Sequence, residues 1–253
     1  QVRMTPAAES LVQLGQRVFQ DVRETVGTIT DHTRTLRGTL RVAGGMTVCL
    51  YVFPPLLKHL KRVHPHLDVR LTVATAGRSV EEIRAGRVDA GLLTLPVEES
   101  DLVTVPVLRE ELLLVTMPTH PLARKKVVRP EDLSGEPFVL FEPGSATRRV
   151  IDSFLITEHI EPTIVMDTEN VEIIKAMVKT GLGIAIVPYQ SIAREVRAGQ
   201  FFCARIEGHE LVRETGWVYA RANRVPRMVQ ELMKAFDQIR GRLLLAPRGG
   251  GRG

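Results

Sequence analysis

The sequence predicts an α/β protein with two similar lobes and a long helix in front of them. The first observation is a helical apolar periodicity that extends from residue 5 to about residue 36. The second is an order of strand, helix, strand, helix and strand that occurs once before residue 118 and again after it. Such an order predicts parallel sheets with right-handed crossovers. The third is the proline-rich segment 118–132, which predicts a connection between the two lobes.

The composition is that of an ordinary globular protein. Of the 253 residues, 44% are hydrophobic and 25% are charged, and a chain of this length can bury a large core without disulfides. No apolar run approaches the about 18 residues of a transmembrane helix. The start of the chain also lacks the apolar region of a secretion signal, so we expect a cytoplasmic protein. Because the chain begins with Gln1, we interpret it as a piece of a longer protein.

The charge and the cysteines give weaker indications. The net charge of +5 permits an anionic partner without requiring one. Part of this charge lies in the tail 247–253, which we expect to be disordered. The two cysteines, Cys49 and Cys203, are too few for a disulfide framework. We interpret them as small buried residues, and the predicted organisation puts them in different lobes.

The long N-terminal helix carries a stripe typical of a dimerisation seam. Thr5 can cap its start, and Pro6 suits the first helical position. Apolar residues repeat every seven positions in two offset series, which is the a/d pattern of a coiled coil. So narrow a stripe needs a partner, and we expect a homodimer or homotetramer; packing against the chain's own domain is the alternative. The seam consists of Val12, Phe19, Val22, Val26 and Ile29.

The remaining elements divide between the two lobes. We assign residues 1–37 to the linker helix, 38–118 to the first lobe, 119–221 to the second lobe, 222–246 to a helical segment that returns to the first lobe, and 247–253 to the tail. Strands are predicted at 40–43, 67–74, 88–93, 103–108, 112–117, 138–141, 163–166, 184–187 and 211–220. Helices are predicted at 48–63, 79–85, 145–157, 171–178 and 225–244. Ligands of such folds lie in the cleft between the lobes, where strands end and helices begin.

Several motifs together resemble the LysR-type transcriptional regulators of bacteria. Their order and spacing across residues 5–240 make the resemblance specific, although each motif alone is weak. They are the linker segments 5–9 and 36–42, PPLL at 54–57, the helix-to-strand passage at 84–92, HPLA at 120–123 and GLGIAIVP at 181–188. The resemblance implies an effector domain like a periplasmic binding protein, built from two Rossmann-like subdomains behind a linker helix.

The resemblance also implies a function. This chain would be the ligand-sensing and oligomerising region of such a regulator, and a small anionic effector in the cleft would control DNA binding and transcription. The family's winged helix-turn-helix normally precedes Thr5, so we expect DNA binding only through that missing domain. We expect neither a cofactor nor a membrane partner. A solute-binding protein or an enzyme on the same two-lobed fold is the alternative.

The sharpest local signal for the effector site lies between a strand and a helix of the second lobe. Gly144 allows a tight turn there, and Ser145 and Thr147 place hydroxyls beside free N–H groups at the helix start. The helix dipole favours an anion at this position. Arg148 or Arg149 can add a bidentate contact, and the pattern does not decide which of them faces the cleft. The alternative is an ordinary serine cap with two solvated arginines.

Other candidates come from both lobes. Thr47 precedes the first helix of the first lobe, where an ordinary cap is the alternative. Arg78, Ser79 and Thr94 are similar in place to effector contacts of the family, and Asn170 is expected to cap a helix at the cleft. We predict no catalytic residue and no metal ligand, since the chain carries no serine-hydrolase elbow, zinc-protease motif or phosphate-binding loop.

Overall fold

The structure is a computed structural model of the chain. It describes residues 35–222 and 224–247 and, before them, Thr5, Ala7, Ala8, Leu11, Gly15, Val18 and Val22. In this part of the chain two α/β lobes share a sheet, and one long strand pairs with strands of both lobes.

The helices and strands alternate along most of the described chain. The strands are β1 (Gly38–Gly44), β2 (Leu67–Val73), β3 (Ala90–Thr94), β4 (Leu102–Thr116), β5 (Pro137–Leu140), β6 (Thr163–Asp167), β7 (Ala185–Pro188), β8 (Phe202–Ala204) and β9 (Val212–Ala220). The α-helices are α1 (Met46–Tyr51), α2 (Phe53–Val63), α3 (Ala76–Arg84), α4 (Ala146–Thr157), α5 (Val171–Lys179), α6 (Tyr189–Arg197) and α7 (Arg227–Ile239). Short 3-10 helices lie at Pro121–Arg124, Pro130–Leu133 and Arg240–Arg242.

The sheet of the first lobe is covered by helices on both faces. Its order is β2-β1-β3-β9-β4, with β1 parallel to β2 and β3, and β9 antiparallel to its neighbours. Leu92 and Trp217 pack on the side of α2 and α7, whereas Leu93 and Val218 pack on the side of α3. Successive strand residues point to opposite faces, and here both faces are covered. The neighbours Leu92 and Leu93 are therefore both buried, as are Trp217 and Val218. This explains why these strands read as continuous apolar runs.

Strand β4 replaces two predicted strands and changes where the lobes join. It runs unbroken as Leu102–Thr116, with a shift in pairing between Pro106 and Leu108. Its first half pairs with β9, and its second half pairs with β7 and β8. Leu112 to Val115 contribute to the core of the second lobe, together with Leu122 and Leu133. The chain therefore crosses between lobes inside β4, before the proline-rich segment that we predicted as the crossing.

The second lobe is built around the other half of β4. Strands β5 and β6 form a parallel pair, and a bridge between Phe138 and Ile184 joins β5 to the start of β7. Ile151 of α4 and Ile174 of α5 are fully buried in the core of this lobe. Helix α6 and strand β8 complete it, and the sequence pattern predicted neither of them.

Only part of the linker helix can be compared with its prediction. Ala7, Ala8, Leu11, Gly15, Val18 and Val22 are helical. The Ala8 N–H donates to Thr5 Oγ1 at 3.2 Å, as expected for a cap. In the predicted seam, Val22 is exposed, while Val12, Phe19, Val26 and Ile29 lie outside the described residues, as does the tail from residue 248. Among the helices that the structure describes, none has the length and apolar character needed to cross a membrane.

Candidate functional site

A buried ion pair lies where the two lobes join. Glu110 of β4 and Arg213 of β9 are direct register partners, and their side chains are 1% and 4% exposed. Arg213 Nε donates to Glu110 Oε2 at 3.0 Å, and Arg213 Nη1 donates to Thr147 Oγ1 in the first turn of α4 at 2.7 Å. Gln190 of α6 donates to Glu110 Oε1 at 2.8 Å. These side chains tie the strands that connect the lobes to two helices of the second lobe, and we call Glu110, Arg213, Thr147 and Gln190 the hinge network.

One atom of the hinge network has no partner among the described residues. Arg213 Nη2 is buried and donates a hydrogen bond to none of the described residues. A buried donor without a partner is costly, and in native proteins it commonly marks a place for a water, an ion or a ligand. The Arg213 guanidinium therefore retains bonding capacity at this one N–H₂ group.

A second polar cluster joins the lobes on the side of α1 and α5. Tyr51 of α1 donates through its hydroxyl to the carboxylate of Glu172, and Lys175 Nζ donates to Tyr51 Oη at 3.1 Å. Lys175 also pairs with Glu172 at 2.9 Å and with Glu195 of α6 at 2.5 Å. We call Tyr51, Glu172, Lys175 and Glu195 the latch, since Tyr51 belongs to the first lobe and the other three belong to the second.

The latch shifts the titration of its members. Burial raises the pKa of Tyr51 to about 12, and the hydrogen bond to Glu172 acts in the same direction. Burial by itself would lower the pKa of Lys175, but its bonds to Glu195 and Glu172 outweigh that effect and raise it. Burial would likewise raise the pKa of Glu172, yet the hydrogen bonds from Tyr51 and Lys175 bring it below its ordinary value. The cluster thus stabilises a charged lysine between two carboxylates at neutral pH.

The predicted residues of the second lobe lie at the start of α4. Ser145 is the N-cap of that helix, and its Oγ accepts from the Arg148 N–H at 3.1 Å. Gly144 precedes it with a φ of +85°, in the left-handed region that favours glycine. Thr147 is buried, and its hydroxyl accepts from Arg213. The structure therefore brings three of the predicted residues together beside the hinge network.

The arginine predicted to add charge points elsewhere. The Arg148 side chain is 9% exposed, and its Nη1 donates to the carbonyl of Phe141 at 2.7 Å. Its Nε donates to Asp152, one turn further along α4, at 2.6 Å. The expectation that Arg148 offers its guanidinium to an effector is therefore corrected, because both bonds hold this group within the second lobe. Arg149 is exposed and donates to the carbonyl of Gly144 at 2.7 Å.

The predicted residues of the first lobe include three that are partly or fully buried. Thr47 is 4% exposed in the first turn of α1. Thr94 ends β3 directly opposite Thr215, whose hydroxyl lies 3.4 Å from Glu110 Oε2. Ser79 is fully buried, and its Oγ has no partner among the described residues.

The predicted start of one helix needs correction, and Asn170 acts as a cap. Helix α3 starts earlier than predicted, with Thr75 as its N-cap, so Arg78 and Ser79 lie inside the helix. The Arg78 guanidinium pairs on the surface with Glu81 at 2.9 Å and with Glu82 at 2.8 Å, and its contact with an effector stays a prediction. Asn170 caps α5, since its Oδ1 accepts from the Glu172 N–H at 2.9 Å.

Two adjoining grooves open between α4 and the segment that follows β3. Their volumes are about 410 and about 500 Å³, and both are bounded by Leu95, Pro96, Val150 and Val212. The first groove continues along α4 past Arg149, and the second includes Arg213 in its lining. The hinge network therefore borders open space between the lobes.

The sequence pattern missed most of the hinge network and the latch. Glu110 and Arg213 could have been noticed, because each is a charged residue inside an otherwise apolar strand, where an unpaired charge is costly. Tyr51 and Lys175 carry no such signal, since a tyrosine is ordinary in an apolar helix such as α1 and a lysine is ordinary in an amphipathic helix such as α5.

The family model for the LysR substrate binding domain matches residues 33–239 of this chain. The chain is 28% identical over 242 residues to a probable RuBisCO transcriptional regulator of Trichormus variabilis, and the match covers 93% of this chain and 71% of that protein. It is 30% identical over 210 residues to a probable RuBisCO transcriptional regulator of Guillardia theta, covering 81% of this chain and 68% of that protein.

Solved structures show the same fold. A full-length OxyR variant from Pseudomonas aeruginosa matches with a TM-score of 0.77 at 22% identity, covering 99% of this chain and 81% of that one. The Synechocystis CcmR regulatory domain in complex with 2-PG matches with a TM-score of 0.73 at 22% identity, covering 80% and 97%. The BenM effector binding domain with benzoate matches with a TM-score of 0.70 at 19% identity, covering 81% and 92%. The chain therefore belongs to the LysR-type transcriptional regulators and contains their effector-binding domain.

Proposed function

We propose that this chain senses a small anionic metabolite in the cleft between its lobes and transmits its presence to DNA-binding domains elsewhere in the full regulator. The observation that carries the proposal is the hinge network, which places an incompletely bonded arginine beside a helix start between the two lobes. The relatives are transcriptional regulators, which favours a sensor over an enzyme. We also propose that it acts in the cytoplasm, where a regulator of transcription meets DNA.

The anionic nature of the effector is inferred from the chemistry of this region. Helix starts and arginine side chains both favour negative charge. Structural relatives are described with benzoate and with shikimate, which are carboxylates at neutral pH. At identities of 17% and 19% these relatives support the fold alone. The proposal of an anionic ligand is therefore argued from the chemistry of Arg213 and of the start of α4.

The proposed signal is a change in the angle between the lobes. An effector shifts the population of lobe arrangements only by binding one arrangement more tightly than another. The latch joins α1 of the first lobe to α5 and α6 of the second, so it is made or broken when the lobes move. Effector binding and latch formation would therefore favour the same closed arrangement.

Self-association through the linker helix is the second part of the proposal. Leu11, Val18 and Val22 are helical, and 70%, 50% and 53% of their surfaces are exposed. Their spacing places them on one face of the helix, where a second copy of this chain would cover them. We propose that pairing of two linker helices connects the lobe angle of each subunit to the spacing of the DNA-binding domains.

Thermal unfolding in the presence of candidate compounds tests the sensing function. The panel contains small carboxylates, phosphate esters and sulfate, with neutral sugars and nucleosides as the comparison set. A ligand present at about 100 times its Kd stabilises the folded state by about 2.7 kcal/mol, which is a readily measured shift. We expect at least one anion to raise the unfolding temperature without being consumed. Turnover of such a compound by the chain would contradict the proposal and favour an enzyme.

A further inference from the structure

We propose that Arg213 is the charge partner of the effector and that Glu110 is a built-in competitor which limits the affinity. This inference rests on the proposed function and specifies the residue that recognises the anion. An effector carboxylate or phosphate would accept a hydrogen bond from Arg213 Nη2 and from backbone N–H groups at the start of α4.

The geometry of the guanidinium supports this assignment. Two of its three nitrogens are occupied, Nε by Glu110 at 3.0 Å and Nη1 by Thr147 at 2.7 Å. These two bonds fix the plane of the group, so that Nη2 is held in place without a partner among the described residues. A guanidinium that is already oriented loses little side-chain entropy when it binds an anion.

The start of α4 supplies further donors at the same place. The first N–H groups of any helix have no partner within that helix. Ser145 satisfies two N–H groups in α4, since its Oγ accepts from Arg148 N–H and its carbonyl accepts from Arg149 N–H. The N–H groups of Ala146 and Thr147 come earlier in the same turn, and neither of these two bonds uses them. Because Nη1 already touches the Thr147 side chain, Nη2 lies close to this turn.

Arg148, at the same helix start, is unsuited to the role. The bonds of Arg148 are directed to Phe141 and Asp152 within the second lobe. The charge of Arg213, in contrast, is balanced by Glu110, which also accepts from Gln190. An anion near Arg213 is attracted by the guanidinium and repelled by the carboxylate, so Glu110 should lower its affinity.

This competition gives two variants with opposite expected effects. Arg213→Gln removes the charge that binds the anion, and we expect at least about tenfold weaker binding. Glu110→Gln removes the competing charge while an amide can still accept from Arg213 and bond to Gln190, and we expect tighter binding by several fold. A purely structural role would predict that both substitutions weaken binding, because each breaks the same ion pair.

A matched control is available one residue away on β4. Glu111 pairs with the partly exposed Arg205, whose Nη2 lies 2.8 Å from Glu111 Oε2. Arg205→Gln therefore removes an arginine–glutamate pair without touching the hinge network, and we expect unchanged anion affinity. If Arg213→Gln fails to fold because Glu110 is left buried and unpaired, the double variant Glu110→Gln with Arg213→Gln replaces it. We expect the double variant to bind at least about tenfold more weakly as well.

Isothermal titration of the full 253-residue chain with benzoate, shikimate, 2-PG, inorganic phosphate and sulfate provides the measurement. Weaker binding in Arg213→Gln together with tighter binding in Glu110→Gln would support the inference. Equal affinity in Arg213→Gln and Arg205→Gln, or weaker binding in Glu110→Gln, would overturn it. Failure of every anion to bind the unmodified chain would overturn it too.

Titration with neutral sugars and nucleosides, and DNA binding by the full-length regulator, separate this inference from the proposed function. If a neutral sugar or nucleoside binds between the lobes while no anion does, sensing stands and the role of Arg213 is wrong. If an anion binds through Arg213 but never alters DNA binding by the full-length regulator, the role of Arg213 stands and sensing is wrong.

Discussion

Lys175 of the second lobe donates to Tyr51 of the first lobe, with Nζ 3.1 Å from the tyrosine hydroxyl and 5.6 Å from the ring centroid. Only 6% of the Lys175 side chain is exposed, so its ammonium depends on the oxygens around it. Those are the Tyr51 hydroxyl and the carboxylates of Glu172 and Glu195. Removal of the tyrosine oxygen takes away the polar contact that the first lobe contributes to the latch.

Tyr51→Phe should therefore favour an open arrangement of the lobes. The loss of a hydrogen bond to charged groups predicts destabilisation by about 1.5–3 kcal/mol and a larger radius of gyration in solution. Urea unfolding and small-angle X-ray scattering measure the two effects. Tyr219→Phe in β9 is a suitable control, since Tyr219 is a buried tyrosine in the core of the first lobe, away from the latch. Equal behaviour of the two variants would remove the latch from the mechanism.

The latch should also weaken in acid. The pKa of Glu172 in the folded chain lies below its ordinary value of 4.5, so its contribution to stability is complete above about pH 4.5 and is lost as the pH falls through the folded value. Stability measured from about pH 7 to about pH 3 should fall less steeply in Glu172→Gln than in the unmodified chain. Identical slopes would show that the carboxylate is not linked to folding. Exposed Glu98 provides a control substitution to Gln.

Arg148 should matter for folding more than for ligand affinity. Its guanidinium makes two charge-assisted bonds, to Phe141 and to Asp152, and is nearly buried. Arg148→Ala should lower the free energy of unfolding by about 1.5–3 kcal/mol, since the buried bond to the Phe141 carbonyl contributes on that order and the bond to the partly exposed Asp152 adds little. Arg149→Ala should cost less than about 1 kcal/mol, because Arg149 is exposed. A large loss of anion affinity in Arg148→Ala with unchanged stability would restore the direct role first expected for it.

Self-association should depend on the exposed apolar face of the linker helix. Val22→Asp puts a charge on that face, and burying it in a seam between two helices would cost several kcal/mol. Sedimentation of the unmodified chain at tens of micromolar should show a dimer or tetramer that Val22→Asp dissociates. Ile156 of α4 is 72% exposed outside the linker helix, so Ile156→Asp should leave the assembly intact. A monomeric unmodified chain would contradict the prediction.

The cysteines should react slowly with thiol reagents. Burial raises the pKa of Cys49 to about 11, and burial followed by the charge of Glu111 raises the pKa of Cys203 to about 11. Since the thiolate is the reactive form, alkylation by iodoacetamide at about pH 7.5 should be much slower in the folded chain than in urea. Rates that climb only as the pH approaches the shifted pKa would agree with this; rapid labelling of the folded chain near neutral pH would not.

Local chemistry was sufficient to predict the framework of the fold and the cap at the start of α4. The cap at Ser145 was predictable because it forms between a side chain and an N–H only three residues ahead. The glycine before it, the cap at Asn170 and the alternation of strands and helices follow from the same short-range rules. Sequence also identified the family, since its motifs occur in order along the chain.

Only the tertiary structure decided which charges meet. Glu110 and Arg213 are 103 positions apart, and Tyr51 and Lys175 are 124 apart, so no local pattern links them. Each pair forms because strand pairing or the approach of the two lobes buries its members, and a buried charge must then find a partner. Arg148 illustrates the same limit: the sequence placed it at a helix start, but the packing of α4 on the second lobe turned its guanidinium to Phe141. Helix periodicity fixes the face on which a side chain begins, whereas the direction of a long side chain depends on the acceptors that folding brings within reach.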